Sequence, residues 1–461
     1  MTDAPKPVAL INIVGLTTDM LDERMPRLRE FAKSSCCVRP LNPVLPALTC
    51  SVQSSMLTGT LPEKHGIVGN GWYERDQSEI RFWKQSNHLV QGEKVWHAAR
   101  HRAPGFTVAN CFWWHAMHAD TDITITPRPM YPSDGRKIPD IYTDPPELRD
   151  RLQSRLGRFP LFNFWGPTAS IASSRWIAES AAIVHDRHAP DLLMVYLPHL
   201  DYDLQRHGPD HPLSSRAMTE IDQVAGDLID KLQQDGRRIV IVSEYGITSV
   251  KDAVHPNKAL RKAGLLRVRE ELGLDMLDPG GSDAFAVADH QIAHVYVQDR
   301  NRLEEVLALL SELDGVACVL DLEGRRRAGL DHPRSGDLVL LSEEDHWFTW
   351  DYWLDENRAP DFARTVDIHR KPGYDPRELF FAPGWKGSKP RLILKLLAKK
   401  LGQRTLMDAI GLETNVVGGS HGLNGPGSDG IIIREGHEDL PEQIPCTAVH
   451  DIVLQELFRD S

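Results

Sequence analysis

The sequence predicts an α/β fold: a largely parallel sheet flanked by helices, with a smaller α+β segment inserted late in the chain. Three observations carry this. Short β-branched or Leu-rich runs at 8–14, 106–110, Leu192–Leu197 and 239–243 read as buried strands. Amphipathic patterns at 25–33 and 173–186 lie between them, and strands alternating with helices build parallel sheets. From about 262 to 410 the pattern changes to an alternating run (293–297), a helix (303–313) and a further strand (Leu338–Ser342).

The chain has 461 residues, too many for one simple core, so either one large domain carrying an insertion or two domains is expected. The boundaries read as 1–261 for the first part of the core, 262–410 for the inserted cap and 411–461 for the rest of the core. Hydrophobic residues make up 41% and charged residues 26%, an ordinary globular balance. The formal net charge of -12 argues against a nucleic-acid duplex as partner, because phosphate backbones are bound by Lys and Arg. It leaves room for a small phosphate ester in a local pocket.

No run approaches the roughly 18 apolar residues of a membrane span. The opening MTDAPKPVALINIVGL lacks a basic segment and a small-residue cleavage site, so it does not read as a signal peptide. Six cysteines without CxxC spacing read as reduced thiols, and the expected location is the cytoplasm.

Taken in order, the first strand is followed at once by Gly15, the third by His199–Asp201 and the fourth by Glu244–Gly246. Chemistry in such sheets sits at the C-terminal ends of strands. The stretch from about 112 to 170 is rich in Trp and Pro and reads as a long excursion over the sheet rather than a regular element. The basic, amphipathic KPRLILKLLAKKLG at 389–402 reads as a cap helix with its lysines in solvent, the alternative being contact with an anionic surface or partner.

The most informative stretch is PVLPALTCSVQSSMLTGTLPEKHGIVGN, 43–70. Its prolines bring the chain in extended, and Thr49 stands where a helix pattern begins (50–57). Such a threonine is either an N-cap for an orphan backbone N–H or a nucleophile at the positive end of a helix, where phosphate is also attracted.

This segment resembles the signature of the nucleotide pyrophosphatase/phosphodiesterases of the alkaline phosphatase superfamily: a proline, a nucleophilic Thr, a helix ending in Thr-Gly, then a Pro-Glu-x-His-Gly-Ile run and an asparagine. Here Thr58-Gly59 closes the helix, Pro62-Glu63-Lys64-His65-Gly66-Ile67 follows, and Asn70 falls at the asparagine position. LINIVGL, YLPHLDYDLQRHGPD, VSEYGI and GGSHG match the family's first-strand and three later metal motifs in order. The resemblance implies an alkaline-phosphatase-like core. It also implies Thr49 as nucleophile through a covalent phosphoryl intermediate, and Asn70 as donor to a phosphoryl oxygen. Cys50, beside the nucleophile, reads as a small buried residue pointing elsewhere.

The family activates its Thr with two zinc-type ions, and here the ligand set departs from the pattern. Val14 replaces the first-strand Asp; Glu244 and Tyr245 replace an Asp-His pair. The other ion's ligands survive better. His421 matches the final His, and two registers are open for the Asp-x3-His element. Aligning on Gly208-Pro209 gives Asp201 with Gln205 in the His position and is preferred. Sliding by two gives Asp203 and His207. Asp289, His290 and His369 are possible substitutes, although each reads more readily as a hydrogen-bonded structural residue.

The expected function is therefore a hydrolase or transferase of phosphodiester or pyrophosphate bonds acting on a small phosphate-ester or nucleotide-like substrate. One divalent ion rather than two, zinc by donor type, would sit at Asp201 and His421, with Glu244 as ligand or general base. The alternative from the missing ligands is a diverged member that acts as a binding or scaffold protein, or uses metal-independent chemistry.

Overall fold

A computed structural model describes residues 4–459 apart from 35, 385–393, 396, 399–400, 402, 404 and 437–440. The basic 389–402 segment falls largely outside the described residues. Nine strands form the main sheet. In chain order they are β1 (Val8–Ile13), β2 (Cys36–Asn42), β3 (Val108–Cys111), β4 (Ile123–Pro127), β5 (Ile141–Asp144), β6 (Leu192–Leu197), β7 (Arg238–Val242), and, beyond a four-stranded cap sheet, β12 (Gly430–Glu435) and β13 (Ile444–Pro445). The cap sheet contains β8 (Ala284–Asp289), β9 (Ile292–Val297), β10 (Val316–Leu320) and β11 (Leu338–Ser342). The spatial orders are β13-β2-β12-β7-β1-β6-β3-β4-β5 and β8-β9-β11-β10.

The centre of the main sheet is parallel. β1 lies between β6 and β7, with Val8 opposite Leu192 and Arg238, and β6 continues through β3 to β4. Every residue of β1 and β6 is buried, which is why both read as unbroken apolar runs rather than alternating ones. The flanks are mixed, because β12 is antiparallel to both β7 and β2, and β5 is antiparallel to β4.

Helices α1 (Pro26–Lys33), α2 (Thr49–Thr58), α3 (Ile171–His188), α4 (His199–His207) and α5 (Pro212–Gln234) pack on this sheet. Among the described residues, no helix is long and apolar enough to cross a membrane.

The Trp- and Pro-rich stretch differs from its sequence reading. It contributes β4, β5 and two helices, Glu147–Leu156 and Leu161–Phe164, and extends the sheet at its edge. The run ITITP carries the β-branched residues of a strand, all of them buried. The surrounding prolines and tryptophans masked that short signal.

Candidate active site

The floor of the site is built by α2. All ten of its residues are buried, and it ends at Gly59 in the left-handed conformation (φ 66°). The helix begins at Thr49, one residue earlier than its sequence pattern. Leu48 is therefore the N-cap residue, and it makes no side-chain cap bond. This corrects the capping alternative for Thr49, whose hydroxyl lies 3.2 Å from the Tyr245 hydroxyl. The capping task falls to Asn70: its Oδ1 accepts from Cys50 N at 3.1 Å. That bond fixes the amide's orientation, so Nδ2 is the donor left for Asp289 Oδ1, at 3.4 Å, and for a ligand. Cys50 packs into the second hydrophobic cluster, around the cap sheet.

His65 explains the Pro-Glu-x-His-Gly-Ile run. Its Nδ1 accepts from Ile67 N at 3.1 Å, so Nε2 carries the proton that Ser55 Oγ receives at 2.9 Å. Burial lowers its pKa to about 3, so the ring is a neutral tie between α2 and the loop leading to Asn70.

Asp201 and Gln205 arrive on α4, one turn apart. Asp201 Oδ2 accepts from Gln205 Nε2 at 2.6 Å and Oδ1 from the Tyr245 hydroxyl at 3.4 Å. Burial raises its pKa to about 7 despite both bonds. The alternative register is separated from the site. Asp203 pairs with Arg206 at 2.7 Å, and the His207 ring stacks on His211.

His421 follows a two-residue strand, Gly419–Ser420, that pairs with Thr248–Ser249. This strand presses against α4. A Cβ on Gly419 would stand 2.3 Å from the Leu204 carbonyl oxygen, so glycine is required there. His421 Nδ1 donates to the Ala47 carbonyl at 2.8 Å, leaving the Nε2 lone pair open, and the ring stacks on Tyr245 with centroids 3.8 Å apart.

Glu244 is placed differently from the other candidates. Thr49, Asn70, Asp201, Gln205, Tyr245 and His421 line one cavity of about 180 Å³; Glu244 is fully buried and does not line it. Its Oε1 accepts from Asn12 Nδ2 (2.7 Å) and Gln53 Nε2 (2.6 Å), while Oε2 has no partner among the described residues. Burial pushes its pKa up to about 8, and the hydrogen bonds from Gln53 and Asn12 draw the other way.

His290, read from sequence as structural, lines the cavity, and so does His369. His290 sits at the tip of the β8–β9 hairpin with φ 57°, a strained conformation for this residue. Its Nε2 faces Gln205 Oε1 at 3.3 Å and therefore carries a proton. Nδ1, 2.8 Å from Asp289 Oδ1, is then the acceptor. The shared proton belongs to Asp289, whose burial raises its pKa well above the carboxylate range, while burial lowers that of His290 to about 3. The only sequence signal for this was an Asp-His pair closing an apolar strand.

For a metal, the two halves of the site differ. The Val14 half does not fit an ion: Val14 is apolar and buried, Tyr245 offers a phenol, and Glu244 is held by two amides. The other half offers a carboxylate and an open imidazole nitrogen, donor types that suit one zinc-like ion. Among the described residues, the groups of three or more His, Cys, Asp or Glu with donor atoms within 4.8 Å of one another are His185–Asp186–Asp235 and Glu343–Asp345–His346. None of these six residues lines the cavity.

Comparisons with known proteins agree with this architecture. The profile of the type I phosphodiesterase / nucleotide pyrophosphatase family matches residues 8–375. A Schizosaccharomyces pombe protein described as an uncharacterized pyrophosphatase/phosphodiesterase is 25% identical over 264 residues, 53% of this chain and 45% of that protein. Mouse ectonucleotide pyrophosphatase/phosphodiesterase family member 1 is 21% identical over 277 residues, 57% of this chain and 26% of that protein. The matched region thus spans less than half the length of these curated relatives.

Phosphonoacetate hydrolase from Sinorhizobium meliloti 1021, solved with phosphonoformate, shares the fold. Its TM-score is 0.64 at 18% identity, covering 98% of this chain and 96% of that one. Human ectonucleotide pyrophosphatase/phosphodiesterase 5 shares it as well, with a TM-score of 0.58 at 14% identity over 99% and 96% of the two chains. With a family profile that covers most of its length, the chain belongs to the type I phosphodiesterase/nucleotide pyrophosphatase family.

Proposed function

We propose that the chain hydrolyses phosphodiester or pyrophosphate bonds, with Thr49 as a covalent nucleophile. The observation that carries this reading is the cavity floor. The Thr49 hydroxyl at the head of a buried helix is not used as a cap, and Asn70, Asp201 and His421 surround it. Thr49 Oγ1 would form a bond to phosphorus as the bond to the leaving oxygen breaks. The hydroxyl proton would pass to Glu244, whose unpartnered Oε2 suits a general base once the carboxyl, with a pKa of about 8, is ionised. Asn70 Nδ2 would donate to a non-bridging phosphoryl oxygen, and the first turn of α2 would favour the phosphoryl charge. Water attack on the resulting threonyl phosphodiester, which still carries the substrate's second group, would then release the phosphate monoester and restore Thr49.

Asp201 and His421, with Gln205 beside them, would hold one divalent ion, zinc by donor type; the chemistry it supplies is charge neutralisation at the phosphoryl group. The aromatic walls suit a small phosphate ester carrying a flat group, such as a nucleotide.

The test is hydrolysis of bis(4-nitrophenyl) phosphate and of a dinucleoside pyrophosphate by zinc-supplied protein. Acid-quenched samples are then examined by mass spectrometry for a 4-nitrophenylphosphoryl or nucleotidyl group on Thr49, and the protein for metal. Turnover, that adduct on Thr49 and no more than one tightly bound ion per chain are expected. Two tight ions would overturn the ligand assignment. No turnover of either substrate would overturn the hydrolase reading in favour of a binding role, to which Val14 and Tyr245 at ligand positions would then point.

A further inference from the structure

The outer part of the cavity has a composition that the chemistry at Thr49 does not require. One wall is a continuous run of crossed aromatic rings. Trp114 meets Trp83 at 5.1 Å, Trp83 meets Tyr374 at 4.7 Å, and Tyr374 meets Trp165 at 5.1 Å between centroids. Two of the three indoles are satisfied: Trp165 Nε1 donates to Glu378 at 2.7 Å and Trp114 Nε1 to the Lys84 carbonyl at 3.1 Å. Trp83 Nε1 is buried with no acceptor among the described residues. An unpaired buried donor is uncommon, and Trp83 also holds a strained φ of 56°.

The same cavity carries positive charge at its margin. Arg128 and Lys137 line it and lie on the extension of the β4–β5 hairpin, which is closed by the Met130–Ile138 bridge. Lys84 follows Trp83 in the chain. The charges of Lys137, Lys84 and Arg128 all lower the pKa of His369, a further lining residue, so the three cations face one place. Burial, with the charges of Arg81 and Arg128, likewise depresses the Lys84 pKa. Two carboxyls face this group: Asp367, which Lys137 shares with Arg370 and Lys371, and Glu79, which faces Lys84 but is paired with Arg81; Lys371 is already paired with Glu378. In a chain of net charge -12, such an excess of cations beside an apolar wall is not the average surface.

We propose that the aromatic wall and the Arg128–Lys137 margin form a subsite for a second anionic group on the substrate, carried by a flat apolar spacer from the phosphoryl group at Thr49. The substrate class is then an aryl or similarly flat phosphate ester ending in a carboxylate or phosphate. The spacer packs on Trp83, Trp114 and Tyr374, and the anion meets Arg128 and Lys137. This rests on the reading of Thr49 as the phosphoryl-binding end.

Equilibrium binding tests the subsite independently of turnover. Phenyl phosphate, 4-carboxyphenyl phosphate and 4′-carboxybiphenyl-4-yl phosphate are titrated calorimetrically into the protein and into Arg128→Ala/Lys137→Ala, with thermal melts confirming that the variant is folded. At least one carboxylated ligand should bind tenfold or more tightly than phenyl phosphate, with a gain that shrinks as salt is raised. That ratio should collapse toward one in the double variant. A parent ratio near one for both spacers, no binding by any ligand, or a ratio that survives the double substitution overturns the inference. Carboxylate-dependent binding without hydrolysis of any diester would leave the subsite standing and remove only the catalytic reading.

Discussion

Replacing Thr49 separates chemistry from packing, because the structure bounds what packing can cost. Thr49→Ala removes one hydroxyl and one methyl from a buried position. The hydroxyl makes a single 3.2 Å contact with Tyr245, which keeps its bond to Asp201, so its loss should cost about 1 kcal/mol. The methyl adds about 1 kcal/mol. No capping term applies, since Leu48 is the N-cap residue. The folded state should therefore lose about 2 kcal/mol, a shift of a few degrees in Tm for a chain of this size. Loss of the nucleophile should lower kcat at least 1,000-fold, about 4 kcal/mol of barrier. Thr49→Ser keeps the hydroxyl and should lose under about 1 kcal/mol of stability while retaining turnover. Melting curves and initial rates on bis(4-nitrophenyl) phosphate read both quantities. An alanine variant that melts as expected yet keeps its rate would refute Thr49 as nucleophile. One that fails to fold would refute the packing estimate.

Two further outcomes follow from the geometry. Burial raises the folded-state pKa of Glu244 to about 8, so its protonated form stabilises the fold below about pH 4.5, and that contribution is lost as pH rises through about 8. Glu244→Gln keeps the oxygen that accepts from Asn12 and Gln53, so denaturant melts should match the parent near pH 4 and increasingly exceed it as pH rises to 9, while kcat falls. A variant less stable than the parent at pH 9 would contradict the buried-acid reading. Gly419→Ala forces a Cβ to within 2.3 Å of the Leu204 carbonyl; it should destabilise the chain by about 2 kcal/mol and lower activity by shifting His421 against Asp201, and a neutral melt would refute the close-approach argument.

The sequence alone determined the layers of the fold and the identity of the floor residues. Leu192–Leu197 is a strand by its unbroken apolar run, since burial on both faces leaves no alternation to hide it. Thr49 and Asn70 were legible because a helix start and its following loop are local, written within 22 consecutive residues (49–70). The β4–β5 strands were not, because their short β-branched runs lie among prolines and tryptophans that signal irregular chain.

Tertiary structure decided what lies around the floor. Asp201 and Asp203 stand on the same helix, and only the packing of α4 under Gly419 turns the first toward the cavity and the second toward Arg206. His290 comes from a hairpin of the cap sheet, and its contact with Gln205 spans 85 positions that no local pattern links. Glu244 follows directly from a core strand, as a ligand would. The Asn12 and Gln53 amides nevertheless hold it behind Thr49, because a buried carboxyl takes whatever donors the neighbouring elements bring. Local sequence specifies backbone geometry and the faces of elements; which side chains share a proton or a charge depends on distances set only when the elements pack.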